Sequence, residues 1–535
     1  MDSPSQKGEG KKKITEVKTF PVPFALGEVK KNITITPNTP SKPSKEQIIN
    51  QAFKFHSEGK ILEAAKYYQL FVNQGFKDHR VFCNYGIILK NLGKLKDAEL
   101  YTRKAISLKP DYVIAHSNLG GILSDLGKLK DAELSNRKAI KLKPDYAEAH
   151  YNLGVILKDL GKLEEAEFSY RKAIELKPDY AEAYSNLGIL LKDLGKLKEA
   201  EIITRKAIEL KPDFAEAYSN LGTICNDLGK FDEANNNYSK AINLKPDFTV
   251  ALMNRWQLLF DNGDFKTALR DADSCNTKNS RAFAIETLYA LGNIEEIYKR
   301  IDETLDLDYG NIRLAAFSSF ISEKEKNNTS HNFCPKPLSF LYFSNLCNHL
   351  KDYLEFINEL IKELNNIKTV WEPSNKTTRN GFQTPTHINL FDNSSPKIRK
   401  LKSIILNELD KYYLNFNQET CSYIKKWPSK KSLVGWHVIL KKQGYQKAHI
   451  HPSGWLSGVI YLKVVPSLDK DEGAIEFSLN GVNYTHINSS KLTYQPELGD
   501  IVLFPSSLHH RTIPFLTDTD RIVVAFDLMP ISFKP

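Results

Sequence analysis

The sequence predicts a multidomain α + β protein, with an all-α N-terminal part and a C-terminal β-barrel that has flanking helices. A 34-residue period between residues 45 and 282 predicts stacked helical hairpins. Short segments of β-type composition after residue 436, separated by turns that contain Gly and Pro, predict the barrel. The length of 535 residues agrees with about two to four domains.

Composition narrows the class of protein. The net charge of +10 is modest for this length, and no basic stripe with interleaved aromatic residues is present, so nucleic-acid binding is disfavoured. The six cysteines lie far apart without a Cys-x-x-Cys pair, which argues for a reducing compartment. No apolar run approaches the roughly 18 residues of a membrane span, and the N-terminus lacks the apolar core of a signal peptide. We therefore expect a cytoplasmic protein without a membrane contact.

Residues 1–44 are rich in Lys, Pro and Ser, with one apolar patch at Phe20–Phe24. Such a composition cannot bury enough apolar surface to offset the entropy of ordering the chain. We expect a mostly disordered tail.

The next segment, 45–282, repeats without drift. Three kinds of position recur every 34 residues: a Pro-Asp pair, a Gly and an Ala. They are Pro110, Pro144, Pro178, Pro212 and Pro246; Gly86, Gly120, Gly154, Gly188 and Gly222; and Ala98, Ala132, Ala166, Ala200 and Ala234. The pattern resembles the tetratricopeptide repeat.

That resemblance implies about seven units of two helices each, stacked into a right-handed superhelix with a concave groove, which generally binds a protein or peptide. In the unit 147–180, Gly154 and Ala166 would let the two helices approach closely, and Tyr170 and Ala173 would pack against the neighbouring unit. Pro178 would end the second helix because its ring cannot continue the hydrogen-bond ladder. Residues 283–330 continue as helices without the motif.

An asparagine also recurs every 34 residues, at the sixth position of each unit. The six residues are Asn84, Asn118, Asn152, Asn186, Asn220 and Asn254. Each amide offers donors and an acceptor, so a ladder on the inner surface could hold an extended peptide backbone. The array resembles that of the O-linked N-acetylglucosamine transferases, where such a ladder lines the groove. The alternative is that Asn is simply common at this position.

Residues 331–435 form a lead-in to the barrel. Helical periodicity is visible in Leu341–Asn365 and Ser395–Phe416. Between them, Arg379 and Gln383 either face a substrate or belong to an ordinary solvent loop.

The segment 436–535 carries the chemistry. His449 and His451 stand two residues apart, so on a strand they project to one face. His510 follows about sixty residues later at the end of an apolar strand, and could complete a face of three imidazoles. Such a set suits iron, copper, nickel or zinc and leaves open positions. Arg521 could hold a carboxylate bidentately.

This layout resembles the double-stranded β-helix (jelly-roll) 2-oxoglutarate/Fe(II) oxygenases, over roughly Trp436–Pro530. The resemblance implies Fe(II), 2-oxoglutarate and O2 as cofactor and cosubstrates of a dioxygenase. It implies His449, His451 and His510 as metal ligands and Arg521 as the cosubstrate-binding residue, with no catalytic residue beyond the metal site. His451 stands where the family usually has a carboxylate, and Val523 where it often has a serine that gives a second carboxylate contact.

Two adjacent histidines compete for the distal position. Neighbouring residues on a strand face opposite sides, so only one of them can point at the metal. The run Phe504–His510 resembles the family's Phe-Pro-Ser-x-Leu-x-His, which assigns the ligand to His510 and leaves His509 elsewhere.

Three functions stay open from the sequence. The first is a 2-oxoglutarate- and Fe(II)-dependent hydroxylase whose repeat array recruits a protein or peptide. The second is an interaction scaffold with an inert barrel, in which the histidines are structural. The third is a cupin-like three-histidine metalloenzyme that does not use 2-oxoglutarate; Arg521 favours the first over the third, since it has no role there without a carboxylate to bind.

Overall fold

A computed structural model describes residues 43–373, 376–385, 388–466 and 471–530. The predicted tail, 1–44, lies outside the described residues except for its last two positions. The chain divides into two compact units, with the boundary between Leu244 and Lys245. The predicted order, a helical superhelix followed by an antiparallel β-sheet region, is confirmed.

The first unit is a stack of six helical hairpins. Its helices are α1 (Lys45–Ser57), α2 (Ile61–Asn73), α3 (His79–Asn91), α4 (Leu95–Leu108), α5 (Val113–Asp125), α6 (Leu129–Leu142), α7 (Ala147–Asp159), α8 (Leu163–Leu176), α9 (Ala181–Asp193), α10 (Leu197–Leu210), α11 (Ala215–Asp227) and α12 (Phe231–Leu244).

The repeated glycine lets the two helices of a hairpin touch. A Cβ on Gly154 would lie 2.7 Å from the Tyr170 ring, and one on Gly222 would lie 2.7 Å from the Tyr238 ring. Only a residue without a side chain permits that approach. The turn between the helices needs a second glycine, Gly161, because φ there is +70°.

The second unit begins with one more hairpin and continues through seven further helices. These are α13 (Thr249–Asp261), α14 (Phe265–Cys275), α15 (Lys278–Ala290), α16 (Ile294–Glu303), α17 (Leu305–Asp308), α18 (Ile312–Glu325), α19 (Tyr353–Leu364), α20 (Pro396–Phe416) and α21 (Ser422–Lys425).

The described residues of the same unit contain ten strands in two antiparallel sheets. The strands are β1 (Tyr342–Asn345), β2 (Val370–Trp371), β3 (Thr378–Gln383), β4 (Ser432–Gln446), β5 (Leu456–Lys463), β6 (Ile475–Ser478), β7 (Lys491–Tyr494), β8 (Asp500–Pro505), β9 (His509–Thr512) and β10 (Arg521–Met529). The larger sheet has the order β1-β8-β5-β10-β4-β3-β2, and the smaller one has the order β7-β6-β9.

The two faces of the larger sheet have different partners. On β10, Ile522, Val524 and Phe526 point to the outer face, where they pack against apolar residues of α19 and α20. Val523 points inward and joins a cluster that contains Phe477 of the smaller sheet. The rings of Phe477 and Phe504 are 5.0 Å apart, so the two sheets meet across this interior.

Helices before the barrel contribute to the same interior. Apolar residues of α15, α16 and α18 belong to the cluster that lies between the sheets. Phe317 of α18 contacts the Tyr484 ring at 5.0 Å. Arg313 and Asn483 both bind the buried carboxylate of Glu286, which ties α15 and α18 to the loop after β6.

Several predicted elements need correction. In place of the two strands expected at 436–442 and 445–451, strand β4 ends at Gln446 after a register shift, so the segment that carries His449 and His451 lies beyond the strand, and His449 forms an isolated bridge with His510. The predicted helix Leu341–Asn365 is helical only from Tyr353, because Tyr342–Asn345 pairs with β8 as an edge strand. The predicted helix Ser395–Phe416 agrees with α20. In the described part of the chain, no helix is both long and apolar enough to cross a membrane.

Candidate metal centre

Three histidines converge where β4 leaves the larger sheet. His449 and His510 exchange two backbone hydrogen bonds, of 3.1 and 3.0 Å. The backbone N–H of His451 donates to the Ser506 carbonyl at 3.0 Å, which fixes the other end of this short segment. As a result, one ligand nitrogen from each of the three histidines lies within 4.8 Å of the other two.

Hydrogen bonds fix the tautomer of each imidazole. Nδ1 of His449 lies 2.7 Å from the Lys447 carbonyl, and Nδ1 of His510 lies 3.2 Å from the Leu508 carbonyl. Nδ1 of His451 lies 2.6 Å from Oδ1 of Asp527. Carbonyl and carboxylate oxygens only accept, so each Nδ1 carries the proton and each Nε2 keeps its lone pair for a metal.

Burial keeps the rings of His449 and His510 neutral. Desolvation lowers the pKa of His449 to about 3, with a smaller contribution from His451. Desolvation also holds the pKa of His510 well below its usual value. Metals bind the neutral ring, so both residues are in the form that a metal requires at neutral pH.

A network of small residues surrounds the third ring. The Ser457 hydroxyl donates to Oδ1 of Asp527 at 2.7 Å and lies 3.0 Å from Nδ1 of His451. The hydroxyls of Ser457 and Ser506 are 2.9 Å apart. Gly454 makes room, since a Cβ there would lie 3.1 Å from Cγ of Asp527. Asp527 and Ser457 are not among the predicted site residues. Strand alternation could have indicated Asp527, because it lies six residues past Arg521 on one strand and so faces the same side.

His509 points away from the cluster. It is buried, its ring meets the Tyr484 ring edge-on at 5.7 Å, and desolvation lowers its pKa to about 3. His510 instead lies against Phe504 with ring centroids 4.6 Å apart. The structure therefore places His510, the histidine that the motif selects, in the cluster with His449 and His451, and leaves His509 outside it.

Arg521 occupies the same face of β10 as Asp527. Its guanidinium carbon lies 4.9 Å from the ring centroid of Tyr461, and the residue is 2% exposed. No carboxylate among the described residues pairs with it, and neither its Nε nor the Tyr461 hydroxyl has a hydrogen-bond partner there. Burial raises the pKa of Tyr461 to about 12, so that hydroxyl keeps its proton and can donate. A buried cation beside a free donor fits a carboxylate ligand.

Five of the six repeated asparagines are buried and do not line an open surface. Asn84, Asn118 and Asn152 are fully buried, and Asn186 and Asn220 are 6% and 5% exposed. Side-chain amides donate to residues of the preceding unit: Asn118 to Cys83, Asn152 to Ser117, Asn186 to Tyr151 and Asn220 to Ser185. The expectation of an open ladder is therefore corrected for Asn118, Asn152, Asn186 and Asn220, whose amides bind neighbouring hairpins to each other. Asn254 is half-buried.

Two further groups are not part of the metal centre. Gln383 is buried and accepts from the Thr378 hydroxyl, while Arg379 donates to backbone carbonyls, so β3 replaces the predicted loop. In the first unit, ligand atoms of Glu201, Cys225 and Glu233 also lie within 4.8 Å of one another. Arg205 contacts both carboxylates there, and this cation already occupies the place of a metal charge.

The comparisons with known proteins agree with this geometry. Residues 435–527 match a family model described as "Putative 2OG-Fe(II) oxygenase". Tetratricopeptide-repeat models match 79–112, 120–161, 147–180, 169–202 and 215–248. The chain contains tetratricopeptide repeats and a domain that matches the 2OG-Fe(II) oxygenase family model.

Several solved structures are similar to part of this chain. A MamA crystal structure is 28% identical over 32% of this chain and 96% of its own, with a TM-score of 0.28. YrrB, titled a TPR protein with an unusual peptide-binding site, is 24% identical over 36% and 99%, with a TM-score of 0.29. A tetratricopeptide repeat protein from Parabacteroides merdae ATCC 43184 is 19% identical over 46% and 98%, with a TM-score of 0.39. No curated protein matches the sequence.

Proposed function

We propose that the C-terminal domain is a 2-oxoglutarate- and Fe(II)-dependent hydroxylase, and that the repeat array recruits its protein or peptide substrate. The observation that carries this proposal is Arg521, a buried guanidinium without an anionic partner among the described residues. It lies on the same face of β10 as Asp527, whose carboxylate contacts His451. A structural arginine at such a place would have a carboxylate of the chain beside it.

The metal would be held by Nε2 of His449, His451 and His510. Three nitrogen ligands on one side leave positions open for a bidentate cosubstrate and dioxygen. The metal would supply the oxidising chemistry: 2-oxoglutarate would lose CO2 and take up one oxygen atom of O2 to become succinate, and the other oxygen atom would be inserted into a substrate C–H bond. The donor set of three neutral, fixed imidazoles fits Fe(II).

The far carboxylate of 2-oxoglutarate would bind Arg521 and Tyr461. The arginine offers a fork of N–H donors, and the Tyr461 hydroxyl is protonated and without a partner among the described residues. Tyr461 is the register partner of Val523, so it supplies the second carboxylate contact that Val523 cannot make. Trp436 lies 5.5 Å from the His451 ring, and Phe504 lies 4.6 Å from the His510 ring; both shield the site from water.

The repeat array offers an exposed apolar stripe for recruitment. Four side chains recur every 34 residues on the second helix of four successive hairpins and are 48–71% exposed: Leu100, Leu134, Phe168 and Ile202. Contiguous exposed apolar surface generally marks an interaction site. Because the buried asparagines leave little amide surface for a peptide, this stripe replaces them as the recruiting surface in our proposal.

Anaerobic binding of Fe(II) and 2-oxoglutarate, followed by succinate release on exposure to oxygen, tests the proposed function. We expect about one Fe(II) per chain, 2-oxoglutarate binding that depends on the metal, and slow succinate release without a substrate. Metal binding without 2-oxoglutarate binding would favour the cupin-like alternative. Binding of neither would leave the scaffold with an inert barrel.

A further inference from the structure

The proposed ligand set carries no negative charge. Three neutral imidazoles leave the full charge of a divalent cation uncompensated, whereas a carboxylate in place of His451 would neutralise half of it. A carboxylate nevertheless lies directly behind the ring: Oδ1 of Asp527 is 2.6 Å from Nδ1 of His451. The two residues are 76 positions apart in the sequence and are brought together by β10.

We infer that Asp527 is a positioning residue that supplies, through the His451 ring, the negative charge that the three-histidine site lacks. The inference deepens the proposed function and rests on it. Among the described residues no Lys or Arg pairs with Asp527, and His451 is its one ionisable partner. A carboxylate that is 9% exposed and has no Lys or Arg beside it among the described residues is costly to bury unless a positive charge lies nearby. A metal on the far side of the imidazole provides that charge.

The surroundings hold this carboxylate in place. The Ser457 hydroxyl donates to the same Oδ1, and Ser457 in turn contacts Ser506. Gly454 permits the close approach, because a Cβ there would lie 2.6 Å from the Ser506 hydroxyl and 3.1 Å from Cγ of Asp527. A carboxylate that accepts from Nδ1–H fixes the ring orientation and makes Nε2 a stronger donor to a metal. Gly454 and Ser457 thus hold the Asp527 carboxylate in position behind the His451 ring.

Co(II) binding in the full chain tests the inference without turnover. We expect Asp527→Asn, which keeps an acceptor but removes the charge, to weaken Co(II) binding by about 10–100-fold. The visible absorption spectrum of bound Co(II) should keep its shape, because the three imidazoles remain. Asp527→Glu should recover part of the affinity. Asp518→Asn is the matched control, because Asp518 is exposed and pairs with Lys442; it should bind Co(II) like the wild type.

Ser457→Ala keeps the charge but removes the hydroxyl bond, and a smaller loss of Co(II) affinity is expected from it. This variant carries the test if Asp527→Asn does not fold. Co(II) affinity of Asp527→Asn within about twofold of wild type would overturn the inference. A spectrum of changed shape would also overturn it, because Asp527 would then be a ligand itself. Wild-type protein that binds no Co(II) would instead remove the proposed function, and the inference with it.

Discussion

Replacement of Arg521 by Met separates a cosubstrate-binding arginine from a structural one. Met has a similar length and fills the space beside Tyr461 without a charge. The wild-type guanidinium is fully desolvated, and burial lowers the pKa of Arg521. Its contact with the Tyr461 ring, at 4.9 Å, recovers at most about 2 kcal/mol of the several kcal/mol that desolvation of an ion costs. The free protein should therefore become more stable when the charge is removed.

The expected changes have opposite signs with and without ligand. In the free protein, Arg521→Met should raise the free energy of unfolding by about 1 kcal/mol or more, a rise in melting temperature of about 2–4 °C. For 2-oxoglutarate, loss of two charge-assisted hydrogen bonds at about 1.5–3 kcal/mol each should raise Kd by about 10²–10⁴-fold. 2-Oxoglutarate at a concentration of 100 times its Kd should stabilise the folded wild-type protein by about 2.7 kcal/mol, and this stabilisation should be absent from the variant.

The assay is isothermal titration of the Mn(II)-loaded protein with 2-oxoglutarate, together with thermal unfolding in its presence and absence. Arg511→Met is the matched control, because Arg511 is exposed and pairs with Glu476 on the smaller sheet; its effect on both measurements should be small. If Arg521→Met lowers the melting temperature of the free protein by several degrees, the arginine is structural. An unchanged affinity for 2-oxoglutarate would refute the proposed carboxylate contact.

Three further predictions follow from the same geometry. His449→Ala and His510→Ala should each abolish stoichiometric Fe(II) binding, whereas His509→Ala should retain it, measured by metal content after gel filtration. Loss of iron in His509→Ala together with its retention in His510→Ala would show that the distal ligand is assigned to the wrong residue. Asn186→Ala should lower the free energy of unfolding of the array by about 1 kcal/mol, because its amide bonds a neighbouring hairpin at 2.9 Å; unchanged stability in urea would restore the open-ladder hypothesis. Burial lowers the pKa of His437 to about 4, below its value in the unfolded chain. Between these two pKa values the folded state binds fewer protons than the unfolded chain. The contribution of neutral His437 to the free energy of unfolding is therefore fully present above pH 6.5 and is lost as the pH falls towards 4, by at most about 3 kcal/mol. His437→Gln should flatten this part of the stability–pH curve, and an unchanged curve would show that His437 is solvated.

The parts of the fold that could be predicted are those with a local period. Helix pairs follow from the 34-residue repeat, and the histidine face follows from two-residue spacing on an extended chain. The edge strands β1 and β2 were missed because they are four and two residues long and have no alternation to detect. Strand β3 was read as a loop because it contains Asn380 and Gly381, which are rare in strands.

The errors in the site have a different cause. A period places Asn186 on a helix face but does not show that Tyr151, 35 residues earlier, will accept its amide proton. In the same way, the substitution of His451 for a carboxylate looked like a loss of charge. The compensating Asp527 lies 76 residues away in sequence, and only strand pairing brings it to the ring. Sequence spacing predicted that the three histidines converge on one site. The hydrogen-bond partner of His451 depends on long-range strand pairing, which sequence spacing does not show.

The unit that carries the chemistry is larger than its motif. The inner face of the sheet, which includes Val438 and Tyr461, shares one apolar cluster with Phe317 and Phe320 of α18, more than a hundred residues earlier. The outer face packs in the same way against α19 and α20. A barrel cut at residue 436 would expose both faces to water, at about 25 cal/mol for each Å² of apolar surface. The helices between 278 and 416 are therefore walls of the candidate oxygenase domain, and the histidines, Asp527 and Arg521 hold their positions because those walls are present.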